Sequence, residues 1–278
     1  MSKEQWTTEK LFSRLQNNKS KKSYWDYITI LRQRTTKEVF EKSVQFAQSK
    51  NPKEKIIGID VLAQLGIPPR PFQKQTIKLF FELLETENNT KVLKSLLIAI
   101  GHNNENLTNK QIGRLAIFST TKNPLIKEGL VFSLLMINHP KAIESLITLS
   151  SDKLNHIRDW ATFGLGTQID EDNLEIRNAL WKRVTDKHQE TKLEAILGLA
   201  KRKDERIKPI IVQELLNGEY GVVLFEAIEE IGDKENLNVL KAYYKSEKSN
   251  KKIPKDWLDD LKSCIKNLEK KLKKSKMI

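Results

Sequence analysis

The chain has 278 residues, 38% of them apolar and 31% charged, with a formal charge of +13. Its 11 glycines and 8 prolines are too few for a strand-and-turn architecture, and a single cysteine, Cys264, excludes an internal disulfide or a cysteine-built zinc site. The longest apolar run, LVFSLLMI at 130–137, is too short to cross a bilayer. The amino terminus shows no apolar core of the kind a secretion signal needs, so a soluble cytoplasmic protein is expected.

The charge sits at the ends. Residues 1–23 carry +4 and residues 241–278 carry +8, leaving +1 over the 217 residues between them. A protein that grips a phosphate backbone along its body concentrates positive charge there. Nucleic-acid contact is therefore expected, if at all, through the basic termini.

In chain order, residues 1–35 read as amino-terminal capping helices, mixing Lys19, Lys21, Lys22 and Arg32 with Tyr24, Trp25 and Tyr27. Aromatics beside lysines can stack on bases, but Trp25 and Tyr27 are assigned to the apolar face of a cap. A helix over 36–47 follows, then six segments that align without gaps, ending at residues 66, 101, 135, 166, 200 and 232. The spacings of 35, 34, 31, 34 and 32 residues make a repeat, and apolar residues at the first, fifth and ninth positions, as in Ile157, Ala161 and Leu165, mark one helix face. Further apolar helices lie between them at 72–85, 110–119, 141–150, 175–184, 207–216 and 235–244. Proline-bearing breakers, KNP at 50–52 and 122–124, GIPPRP at 66–71 and NHP at 138–140, read as corners. The acids Asp170, Glu171 and Asp172 are expected to cap the helix that begins near Glu175. At the carboxyl end, Trp257, Leu261, Ile265, Leu268 and Leu272 define an amphipathic helix whose apolar face covers the last repeat, with a lysine-rich tail behind it.

A hairpin of two half-apolar helices cannot bury itself alone, so the pattern predicts an all-α stack of hairpins with a continuous core. Neither the TPLH turn of ankyrin repeats nor the W-x-x-L-G-x-x-Y pattern of TPR units occurs. IRDWATFGLG at 157–166, with Asp152 six residues before Arg158, resembles the second helix of short bacterial HEAT-type repeats, and Asp186 with Lys192 repeats the spacing. The resemblance implies a right-handed α-solenoid of about seven antiparallel helical pairs over 36–247, capped by residues 1–35 and by a basic helix and tail over 248–278. It assigns Asp152, Arg158, Asp186 and Lys192 to a structural ladder tying hairpins together. The positions matching Arg158 elsewhere are Gly58, Leu93, Lys127 and Leu224, so the ladder is incomplete.

In that family the second helices line the concave side. The implied partner-facing residues are Lys91 and Lys94, with Ser95 and His102; Glu128 and Phe132; Asp159, Trp160 and Phe163; Glu194, with Lys201; and Glu226 and Glu229, with Asp233. Such a wall runs from basic through aromatic to acidic, which suits a polypeptide carrying both charge signs better than a uniform polyanion. His102, His139, His156 and His188 are isolated, no HExxH, GxxxxGK[ST], GxGxxG after a strand or GxSxG occurs, and no metal or cofactor is expected. The expectation is a non-catalytic scaffold or adaptor that binds a protein or peptide. The alternative is nucleic-acid binding, including the alkylpurine DNA glycosylases that use a HEAT-like solenoid with an Asp and tryptophans, which Asp159 and Trp160 would imitate.

Overall fold

The computed structural model describes residues 2–217 and 221–274. Over them the chain is all-helical, with sixteen α-helices and no strand, as the repeat requires. None of these helices is long and apolar enough to cross a membrane. Two compact units, Met1–Ala142 and Ile143–Ile278, divide the chain.

The first unit contains α1 (Thr8–Gln16), α2 (Lys21–Gln33), α3 (Lys37–Ala47), α4 (Pro52–Ala63), α5 (Gln73–Thr86), α6 (Thr90–Gly101), α7 (Asn109–Ala116) and α8 (Pro124–Leu134). The second members of the hairpins, α4, α6 and α8, pack side by side; α2 lies against α4, and α3, α5 and α7 back them. The periodic apolar positions form the interior: Ile57, Val61 and Leu65, then Val92, Leu96 and Ile100, then Ile126, Leu130 and Leu134 are all buried. Each second helix opens on an asparagine whose side chain accepts a hydrogen bond from a first-turn N–H. Asn51 takes Lys53 N at 2.9 Å, Asn89 takes Lys91 N at 3.0 Å and Asn123 takes Leu125 N at 3.0 Å. The KNP breakers are therefore helix starts, an asparagine cap followed by a proline where the missing N–H costs nothing. At Gly58 the backbones of α3 and α4 meet: a Cβ there would overlap the amide nitrogen of Ala47 and the carbonyl oxygen of Ser43.

The second unit contains most of α9 (Pro140–Leu149), then α10 (Asn155–Phe163), α11 (Leu174–Trp181), α12 (Gln189–Lys201), α13 (Lys208–Asn217), α14 (Val222–Ile231), α15 (Lys234–Glu247) and α16 (Lys255–Lys274). By succession, α3 to α16 make seven pairs. Here α10, α12, α14 and α16 pack side by side. Ile157, Ala161 and Leu165 are buried, as are Thr191, Ala195 and Leu199. In α14 the stripe shifts by one residue: Leu224, Ala227 and Ile228 are buried while Val223 is not. Helix α10 ends in a π turn, Gly164–Gln168, where Gly166 and Gly198 of α12 face each other without room for a side chain. Arg202 closes this junction, donating to the carbonyls of Leu165, Gly166, Ile169, Glu171 and Gly198 at 2.8–3.2 Å. At the carboxyl end α16 buries Leu261, Cys264 and Leu268 against α14 and α15, and Trp257 packs on Phe225 and Tyr243. The last four residues of the expected tail, 275–278, lie outside the described residues.

Two sequence expectations require correction. Asp170, Glu171 and Asp172 do not cap the following helix. Asn173 does, accepting Ile176 N at 2.9 Å, because its side chain stands one residue before the first helical turn. Asp172 instead forks the guanidinium of Arg177 at 2.7 Å, and Glu171 serves Arg202 through its carbonyl. Trp25 is not on the buried face of α2. That face is Ile28 and Leu31, and Trp25 stays 42% exposed, with the Arg32 guanidinium 5.6 Å from its ring.

Candidate functional site

The ladder residues form a tight junction in the second unit. Arg158 donates Nε and Nη2 to the two carboxylate oxygens of Asp186 at 2.9 and 2.8 Å, reaching the next hairpin, and Nη1 to the Asp152 carbonyl at 2.9 Å. The Asp152 and Asp186 carboxylates also accept backbone N–H bonds from Leu154 and His188, which shapes each turn. Lys192 pairs with Glu214 at 2.7 Å. Burial opposes the charge on Asp186, but the bonds from Arg158 and His188 N and the charges of Arg158 and Arg183 outweigh it, holding this carboxyl near pKa 2. A depressed acid contributes stability that is present above its unfolded pKa and lost as pH falls through the folded value. Acid unfolding followed by circular dichroism is therefore expected to steepen between about pH 4 and 2. In Asp186→Asn that portion of the pH dependence is expected to vanish.

Three of the expected partner-facing residues stand together beside this junction. Trp160 and Phe163, three apart on α10, meet edge to face at 5.6 Å between centroids, and Trp160 is 37% exposed. Asp159, on the same turn, holds one carboxylate oxygen buried with no hydrogen-bond partner. Glu194 on the adjacent α12 does the same with Oε2, and Glu226 on α14 is exposed. Burial first, then the charges of Asp159 and Glu226, push the Glu194 carboxyl up to about 7, with Lys201 pulling the other way. Asp159 is raised as well, chiefly by burial and by Glu190, while His188 and Thr191 oppose the shift. Glu229 accepts from Asn267 of α16 at 3.1 Å, so part of the acidic row is tied to the capping helix. Asp233 is not on this wall. It caps α15, accepting Glu235 N and Asn236 N, and pairs with Lys208 at 3.2 Å.

The expected residues of the first unit are differently placed. Lys91 is exposed, and Phe132 is half-buried. Lys94 and Glu128 pair with each other at 2.6 Å across α6 and α8, so the expected basic end of the row is partly neutralised. A polar network that sequence reasoning missed lies alongside. The Tyr24 hydroxyl and the Ser95 hydroxyl both donate to the Asp60 carboxylate at 2.7 Å, and Arg32 holds the Asp60 carbonyl and the Gln64 side chain. Burial raises the Asp60 carboxyl against the opposing effects of Tyr24, Ser95 and Arg32. Its one sequence signal is positional. Asp60, Ser95, Gly129, Trp160, Glu194 and Glu226 all occupy the fourth place of the aligned segments, the place where each second helix turns a side chain beside its neighbour.

No family model matches the chain. Over 131 residues, 47% of its length, it is 32% identical to Protein YibA of Escherichia coli strain K12 and to Protein YibA of Escherichia coli O157:H7. The match spans about half of those relatives, 46% of their length. The X-ray structure of Escherichia coli YibA superposes over 96% of this chain and 93% of its own with a TM-score of 0.73 at 22% identity, which shows a common fold. Human deoxyhypusine hydroxylase in complex with glycerol gives a TM-score of 0.35 at 13% identity, too loose to support an argument.

Proposed function

We propose that the chain is a non-catalytic scaffold of the short HEAT-repeat type that holds a protein or peptide partner on its second helices, with the main contact at Asp159, Trp160, Phe163 and Glu194. The observation that carries this reading is the pair of buried carboxylate oxygens on Asp159 and Glu194 that lack donors, set beside a part-exposed tryptophan. Buried acceptors without partners are costly, and an incoming cationic or amide donor removes that cost. Tryptophan offers a large surface to the same side chain, including attraction of a cation to its ring face. An acidic row repels a phosphate backbone, which disfavours nucleic acid on this wall.

Affinity capture with the full chain and with a Trp160→Ala/Phe163→Ala variant tests the reading. The expected result is a polypeptide partner that the wild type retains and the folded variant loses. A folded variant that keeps every partner removes the site. Duplex DNA or RNA binding that weakens steeply with salt would replace the reading with nucleic-acid recognition through the basic termini. Base release from alkylated DNA that disappears in Asp159→Asn would replace it with glycosylase chemistry.

Glu194 gives a second check. An acid whose folded pKa lies above its unfolded one lowers stability progressively as pH rises between the two values, here from 4.5 to about 7. Glu194→Gln is expected to raise the thermal midpoint at pH 8 and to leave it nearly unchanged at pH 4. Equal effects at both pH values would show that this carboxylate is not destabilised by its surroundings.

A further inference from the structure

We infer that the first unit carries an oxyanion-binding cleft built on Arg32 and Arg70, which takes a carboxylate or phosphate group attached to a ligand with an apolar body. The cleft has a volume of about 500 Å³ and is lined by Thr29, Arg32, Gln33, Thr35, Gln64, Gly66, Ile67, Pro68 and Arg70, with no acidic side chain among them. It lies between the end of α2 and the loop that joins α4 to α5, and its site is independent of the wall proposed for the polypeptide partner.

The contrast with the second unit is the main argument. There the arginines find carboxylates or complete sets of carbonyls: Arg158, Arg177 and Arg206 each fork an aspartate, and Arg202 saturates its guanidinium on five backbone oxygens. Arg32 and Arg70 fork no carboxylate. Arg32 places Nε and Nη2 on the carbonyl of Asp60 and Nη1 on the amide of Gln64. The Asp60 carboxylate, its nearest negative charge, is engaged by Tyr24 and Ser95. Arg70 has a side chain only 10% exposed, uses Nη1 on the carbonyl of His102 and the side chain of Asn103, and keeps Nε enclosed with no acceptor. Among the described residues its one ionic neighbour is Glu105, 3.9 Å away, half-exposed and already accepting from Gln73. Two desolvated guanidiniums without a matched carboxylate are an unmet demand for a bidentate oxyanion.

The surroundings fit such a guest. Thr29 and Thr35 supply hydroxyls to the cleft, and Gln33 and Gln64 supply amides. The carbonyls at the end of α2, which would repel an anion, are occupied: Gly66 N–H bonds Arg32 O at 2.9 Å and Arg34 N–H bonds Leu31 O at 3.0 Å. Gly66 adopts φ +86°, and a side chain there would run into the methyl of Thr35, so the loop folds tightly onto α2. Ile67, 86% exposed, and Pro68 provide an apolar rim for the body of the ligand. His102 sits behind the two arginines, hydrogen-bonded to Gln64, and burial together with the charges of Arg32 and Arg70 depresses its imidazole.

His102 therefore reports on the site. Inorganic phosphate, and acetate in a parallel series, are titrated into the full chain at constant ionic strength with chloride as the filler, and the His102 ring resonances are followed by NMR. The expected result is a saturable shift and an upward move of the His102 pKa with at least one of the two anions. Preference for phosphate assigns the ligand as a phosphorylated molecule, and preference for acetate assigns it as a carboxylate. Arg70→Gln is expected to weaken binding about tenfold or more, as loss of a charge-assisted bond does. Because Arg70 also braces the loop, Ile67→Glu serves as the second variant. It sets a carboxylate on the exposed rim of the cleft, and it should weaken the binding of both anions by charge repulsion. No saturable response to either anion, or a response unaltered in both Arg70→Gln and Ile67→Glu, overturns the assignment.

Discussion

Arg202→Met is expected to lower the unfolding free energy of the full chain by about 3 kcal/mol, through carbonyls left without donors. Two opposed effects set the sign. The Arg202 side chain is 5% exposed, and removing a buried charge relieves its desolvation. Methionine fills most of the space. The five carbonyls of Leu165, Gly166, Ile169, Glu171 and Gly198 remain, however, and no substitution at one position can remove them. Two of them, Leu165 and Gly166, lie in the π turn that ends α10 and Ile169 follows it directly, where the last carbonyls of a helix have no intrahelical donor. An enclosed acceptor without a donor costs about 1–3 kcal/mol, and several together exceed the gain from discharging one side chain. Guanidinium unfolding of wild type, Arg202→Met and Arg202→Lys checks the argument. Lysine keeps the charge and lacks the fork, so it should fall between the other two. An Arg202→Met midpoint within about 0.5 kcal/mol of wild type would show that the carbonyls are served by other means.

Gly58→Ala is expected to be comparably damaging, by about 3 kcal/mol, although alanine is the better helix former by about 1 kcal/mol. The methyl would overlap Ala47 N and Ser43 O, both backbone atoms, so no rotamer change relieves it and α3 must move off α4. Gly113 on α7 provides the control: a Cβ there meets only the flexible end of Lys141, and Gly113→Ala should be neutral or mildly stabilising. The two substitutions share their helix propensity gain and differ only in what the methyl touches. If both raise the thermal midpoint equally, the close approach of α3 and α4 is wrong.

The sequence carried the architecture more fully than the site. The period of 31 to 35 residues fixes the hairpins because its apolar positions must turn away from water, and Ile57, Leu96 and Leu130 in the first unit and Ile157 in the second are buried as that demands. Register was readable while the stripe kept its phase, and it slipped by one residue at α14, where Leu224 replaces Val223 in the interior. The ladder of Arg158 and Asp186 was legible because Asp152 and Asp186 recur 34 residues apart, each six residues before a basic side chain. Arg202 was not, since its acceptors are backbone oxygens that leave no mark on side-chain identity. Arg32, Arg70 and Asp60 were missed for a related reason. They come from three different segments, and no spacing in the sequence marks them as neighbours before the loop after α4 folds back onto α2. Asp170 to Asp172 misled because three acids before a helix resemble a cap, while the asparagine that follows them takes the role.

The fourth place of the aligned segments separates two properties that most folds entangle. Its occupants are as unlike as aspartate, serine, glycine, tryptophan and glutamate, yet in the first five of the six segments the first, fifth and ninth positions around them all stay buried. A lineage, or a protein engineer, can therefore rewrite what each hairpin presents by exchanging a single residue per unit while the interior stays untouched. Gly129 marks the boundary of that freedom, because there a methyl already crowds Leu97 and the Lys94 carbonyl.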